Sequence, residues 1–133
     1  MSSPRVRATA TAAAIVAALG RPATSIDLDE RWAEADCGLA EGRTFAELEA
    51  SIPDLAAALA RGATEIDWPG GETAAALVKR VTAAWREVTQ ASRPVVIVSH
   101  AGPLRIALAL ASGVSVDTVA FLAPGEARRI ELS

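Results

Sequence analysis

Apolar residues recur at helical spacing along most of this chain. After Ser3-Pro4, a Ser cap followed by Pro at the first helical position, Ala8, Ala12, Ile15, Val16 and Leu19 fall on one face and Gly20 supplies a stop. Thr44-Phe45-Ala46-Glu47 is a capping box that predicts a helix to about Ser51. Pro53-Asp54 restarts a helix through Leu59, ended by Gly62. A longer helix is expected over 72–91, with Leu77, Val78, Val81, Ala84, Trp85 and Val88 as its buried stripe. Gly102-Pro103 opens another, with Leu104, Ala107, Leu108 and Ala111 inward and Gly113 at its end. Ser115-Val116-Asp117 starts a short helical turn.

Three places break the helical period. Residues 94–99 hold four consecutive apolar residues without alternation, the pattern of a strand covered on both faces. Phe121-Leu122, a Pro124-Gly125 turn and Ala127 to Leu132 read as a C-terminal antiparallel hairpin. Ile26 and Leu28 fit a short strand, and Gly38 and Gly42 mark turns. The expected fold is therefore α/β, a single domain over 1–133. It is an odd inventory, because a buried strand needs parallel neighbours and the chain opens directly on a helix. That pattern leads to the expectation of an N-terminally incomplete domain.

Composition narrows the class. At 133 residues, with 51% hydrophobic and 22% charged content, a packed single domain is expected. The net charge of −3 gives no support to nucleic-acid or anionic-membrane binding. One cysteine, Cys37, excludes an internal disulfide, and one histidine excludes His-rich metal sites. No apolar run approaches the roughly 20 residues of a membrane span. The reading is a cytoplasmic protein with no metal and no cofactor.

The lone histidine, His100, ends the 94–99 run and precedes Ala101-Gly102-Pro103. The carboxyl end of a strand facing a helix N-terminus is where open α/β sheets bind ligands. Arg5 and Arg7 stand at the start of another helix, where the helix dipole disfavours cations. They are either solvated surface residues or one wall of an anion site. If both helix starts face one side, Arg5, Arg7, His100 and the N–H groups of Ala101 and Gly102 frame a phosphate pocket. Glu34, Asp36, Glu41 and Glu72, all at loops or element ends, are the candidates to protonate a leaving oxygen.

Four segments, in order, resemble the histidine phosphatase superfamily, also called phosphoglycerate mutase-like. Ser2-Ser3-Pro4-Arg5-Val6-Arg7-Ala8-Thr9-Ala10-Thr11-Ala12 is similar to the family's Ser-Ser-Pro-x-x-Arg-Ala-x-x-Thr-Ala. Glu34-Ala35-Asp36-Cys37-Gly38-Leu39-Ala40-Glu41-Gly42 is similar to Glu-x-x-aromatic-Gly-x-Trp-Glu-Gly, with Cys37 and Ala40 at usually aromatic positions. Trp68-Pro69-Gly70-Gly71-Glu72 resembles the Pro-Gly-Gly-Glu loop, and Val98-Ser99-His100-Ala101-Gly102 the Val-Ser-His-Gly-Gly segment. The resemblance implies a three-layer α/β/α fold and phosphomonoester hydrolysis through a phosphohistidine. It implies Arg7 and His100 at the phosphate and Glu34 as proton donor; Ala101, through its N–H, is the further phosphate candidate, and Arg5, Trp68 and Glu72 are candidate substrate contacts, with a surface, packing or helix-capping role as the alternative. The substrate class implied is a small phosphorylated metabolite.

One family motif has no counterpart. The Arg-His-Gly segment that carries the nucleophilic histidine is absent from these residues, and His100 matches the other histidine. Three readings stay open: a phosphatase domain lacking its nucleophile, a non-catalytic phosphate-binding module, or His100 itself as nucleophile. An unpaired 94–99 edge would also favour a homo-oligomer.

Overall fold

The computed structural model describes residues 1–131. Five α-helices account for most of the regular structure: α1 (Val6–Ala18), α2 (Phe45–Ser51), α3 (Pro53–Ala60), α4 (Ala74–Thr89) and α5 (Ala101–Ser112). Short 3-10 turns lie at Ala23–Ser25, Glu30–Trp32, Gly38–Ala40 and Val116–Thr118. The chain divides into two compact units. One contains 1–34 and 79–133; the other contains 35–78.

The sequence signals that set the helices are local, and most act as written. Thr44 and Glu47 form the full reciprocal capping box of α2. Pro53 stands at the first turn of α3. Gly20, at φ +65, closes α1 in a Schellman motif. Its N–H reaches Ala17 O at 3.0 Å, and Arg21 N–H reaches Val16 O at 2.8 Å. Gly113, also left-handed, ends α5.

The α/β expectation is corrected by the structure. Among the described residues there is no sheet, so neither a three-layer α/β/α arrangement nor a sheet edge is present. The strand-like segments form two isolated parallel bridges, Ser2 with Leu28 and Ser2 with Val98, and the Met1 amino group also donates to Val96 O at 2.9 Å. Ser2 N–H donates to Asp27 O (2.8 Å), Asp29 N–H to Ser2 O (3.0 Å), and Ser3 N–H to Val98 O (2.9 Å). One residue contributes to each pairing, and a ladder needs a longer run. The 94–99 segment is consequently less covered than its apolar run implied; Val96 is 53% exposed.

Among the described residues the C-terminal hairpin is likewise absent. The Pro124-Gly125 turn forms, with Glu126 N–H on Ala123 O at 2.9 Å. Its flanks do not pair. Phe121 instead lies under the Arg105 guanidinium, 4.2 Å from the ring centre, and Arg128 and Arg129 pair with Glu126 and Glu131. Leu132, the last residue of the expected return strand, lies outside the described residues.

In the first unit, α4 buries Val81, Ala84, Trp85 and Val88, and Trp32 is fully enclosed. Leu77 is only half-buried and Val78 is exposed, so the stripe is narrower than its spacing predicted. α5 buries Pro103, Ile106, Ala107 and Ala109, while Leu104, Leu108 and Ala111 are only half-buried. In the second unit, Leu48, Leu55, Ala40 and Ala56 form the core, with Ile52, Leu59, Ile66 and Trp68 against it. Each of the two buried leucines contributes roughly 2 kcal/mol by this burial.

Candidate active site

The site is built where the extended residues 1–3 pass beside the segment that leads into α5. His100 is the N-cap of α5, in extended conformation (φ −123, ψ 170), and is 8% exposed. The backbone N–H groups of Ala101 and Gly102 open the helix and have no intrahelical acceptors. Pro103 follows in the first turn, where a missing N–H costs nothing. Its enclosure anchors the helix start against the first unit.

Ser3 supplies the contact that positions the ring. Its Oγ lies 2.8 Å from His100 Nε2, and both residues are buried. The sequence reading assigned Ser3 to the cap of α1. In the structure the helix begins at Val6 with Arg5 as N-cap, and Arg5 N–H donates to Ser3 Oγ at 3.3 Å. Ser3 N–H is bound to Val98 O and its hydroxyl meets His100 and Arg5 N–H, so the helix opens two residues later, on Arg5.

Arg5 and Arg7 are exposed at the start of α1, with no acidic residue in its first turn. Among the described residues neither guanidinium is held by a hydrogen bond or ion pair. Both stand within electrostatic reach of His100. Burial, first, and then the Arg7 charge hold the His100 imidazole below its ordinary pKa; Glu34 opposes them, and Arg5 and Arg80 act with Arg7. The structure thus brings His100, Arg7, Arg5, Glu34 and the start of α5 at Ala101 into one electrostatic neighbourhood within the first unit.

Glu34 is half-buried at the end of a segment held to α4 by two arginines. Arg80 donates from Nη1 to Arg31 O and Ala33 O, both at 2.8 Å, and from Nη2 to Glu34 O at 3.3 Å. Arg31 forms a two-pronged pair with Glu87 at 2.7 Å and a second with Asp29. Ser99 Oγ donates to Trp32 O at 2.6 Å, joining this segment to the residue before His100. Neither Ser3 nor Arg80 was singled out as a site residue from sequence. Arg80 carried a signal: it lies four residues before Ala84, a charge on the edge of an apolar stripe.

Trp68 and Glu72 belong to the second unit, where they shape the Gly-Gly loop. Trp68 packs on the Leu48–Leu55 core, and its N–H donates to Glu72 O at 3.1 Å. Glu72 N–H donates to Asp36 O at 2.9 Å. The alternative proton donors have local partners: Asp36 Oδ1 accepts from Gly38 N–H, and Glu41 Oε1 from Cys37 N–H. Among the described residues no group of three or more His, Cys, Asp or Glu could hold a metal ion, and no helix is long and apolar enough to cross a membrane.

A histidine at one helix start is thus acted on by two arginines at another and by a carboxylate on an anchored turn. The family model of the histidine phosphatase superfamily (branch 1) matches residues 1–131, and the chain belongs to that superfamily. Solved structures agree. A mycobacterial glucosyl-3-phosphoglycerate phosphatase in complex with inorganic phosphate is 27% identical, with a TM-score of 0.70 over 86% of this chain and 58% of its own. A protein described as mycobacterial hydrolase 2 is 26% identical, with a TM-score of 0.71 over 86% and 52%. A protein from Thermus thermophilus is 28% identical, with a TM-score of 0.56 over 87% and 59%. The chain therefore spans less than two thirds of the length of these relatives. No curated protein sequence matches it.

Proposed function

We propose that the pocket binds the phosphoryl group of a small phosphorylated metabolite and that the domain's reaction is phosphomonoester hydrolysis through a phosphohistidine. What supports this reading is His100 at the N-cap of α5, with the Arg7 and Arg5 charges acting on it from the start of α1, in a chain that matches the superfamily over residues 1–131. Arg7 and Arg5 supply charge, and the N–H groups of Ala101 and Gly102 supply donors for phosphate oxygens. Glu34 protonates the leaving oxygen, from a turn that Arg80 keeps in place.

In this reading the attacking histidine is not one of these residues, because the chain contains a single histidine and Ser3 engages it. Bond formation between the incoming imidazole nitrogen and phosphorus expels the substrate oxygen, which takes its proton from Glu34; water then hydrolyses the phosphohistidine. The second reading, favoured by the same single histidine, is a module that binds phosphate without turnover.

Hydrolysis of an aryl phosphate separates the two. The chain alone is expected to be inactive, and a version joined to an N-terminal Arg-His-Gly segment is expected to be active. Inactivity of the joined version, with phosphate still bound, supports the binding module. Turnover by the chain alone that survives His100→Ala would contradict both.

A further inference from the structure

We propose that Ser3 is a positioning residue for His100: its hydroxyl donates to Nε2 and holds the neutral ring in the Nδ1–H form. The pocket then receives a hydrogen-bond donor rather than a nucleophilic lone pair. The proposal deepens the reading of the pocket as a phosphate site and rests on it for its functional consequence, though not for the tautomer itself.

Hydrogen-bond satisfaction around Ser3 sets the tautomer. Ser3 has no exposed surface. Its N–H donates to Val98 O, and its C=O accepts from Ser2 Oγ at 2.9 Å. Its Oγ accepts from Arg5 N–H at 3.3 Å. The remaining group is the hydroxyl proton, and the acceptor beside it is Nε2 at 2.8 Å. Were Nε2 protonated instead, the hydroxyl oxygen would face two N–H donors. Its own proton would then lack an acceptor among the described residues, which is the costly way to bury a polar group.

A doubly protonated ring would force that arrangement, and the surroundings disfavour it. The charged groups that face His100 are Arg5 and Arg7 from the start of α1, Arg80 from α4 and Glu34 from the segment before it. Three cations outweigh one carboxylate, and burial acts with them. The neutral ring therefore has its Nε2 lone pair engaged by Ser3 and its proton on Nδ1. Neither nitrogen offers a free lone pair to phosphorus. In the phosphate reading His100 then holds an oxygen through Nδ1–H.

Because His100 is the sole histidine, the two ring nitrogens of uniformly 15N-labelled protein are assigned by long-range couplings without ambiguity. At pH 7.5 the wild-type chain is expected to show Nδ1 protonated and Nε2 as the unprotonated acceptor. Ser3→Ala is expected to raise the population of the Nε2–H form and to weaken inorganic phosphate binding by about fivefold, the loss of roughly one net hydrogen bond. A wild-type spectrum dominated by the Nε2–H form overturns the proposal, as does a Ser3→Ala variant with an unchanged tautomer balance. If Ser3→Ala does not fold, the wild-type spectrum alone decides. Failure of the wild type to bind phosphate, with the Nδ1–H form present, removes the phosphate reading while upholding the role of Ser3 in fixing the ring.

Discussion

His100 draws its behaviour from its burial and from the groups around it. Burial, first, and then the Arg7 charge lower its proton affinity, Glu34 partly restores it, Arg5 and Arg80 act with Arg7, and Ser3 engages the ring. The depressed pKa links to stability in a defined direction. As pH falls below the ordinary histidine value of about 6.5, the unfolded chain takes up a proton that the folded chain refuses. Stability from this group is fully present above that value and is lost as pH falls through the folded pKa. Urea midpoints measured at pH 7.5 and 5.5 are expected to drop on acidification, and this drop is expected to shrink in His100→Gln. An equal drop in both proteins would show that the imidazole is not the group responsible. Carboxylates such as Asp29 and Glu87, held below their ordinary values chiefly by hydrogen bonds from Arg31, titrate at lower pH and fall outside this comparison.

At the scale of elements, what sequence revealed depended on how local each determinant is. The capping box of Thr44 and Glu47, the Gly20 stop and the His100 position before α5 each rest on a few adjacent residues, and all three were legible. The 94–99 segment was misread because four apolar residues report burial only if neighbours exist to cover them, and Val96 remains exposed. Ser3 was misread because a serine before a helix suits a cap equally well; its tie to a residue 97 positions away is invisible locally. The tight packing of the Gly-Gly loop belongs to the same class of non-local fact. A Cβ on Gly71 would strike Asp36 O and the Gly38 nitrogen, and Gly38 itself sits at φ +51 against Pro69, Gly70 and Gly71. Gly71→Ala is expected to cost about 3 kcal/mol, against about 1 kcal/mol for Thr44→Ala at the α2 cap. Denaturant unfolding checks the order, and equal losses would mean the loop relaxes around the added methyl.

At the scale of the whole molecule, superfamily membership agrees with the proposed phosphate site, while the regular structure of the described residues is helical rather than layered around a sheet. Large apolar side chains stay open to solvent in the first unit, among them Val6 at 84%, Leu28 at 59% and Phe121 at 57%. Exposure on this scale favours association. Sedimentation velocity is expected to reveal concentration-dependent self-association, and a single monomeric species across the range would count against it. The central claim is that His100 and Arg7 together hold a phosphoryl group. Calorimetric titration of inorganic phosphate into the wild type, Arg7→Ala and His100→Asn tests it most directly. Saturable binding to the wild type that is lost in both variants is the predicted result; absence of binding to the wild type, or undiminished binding to the variants, would contradict the account.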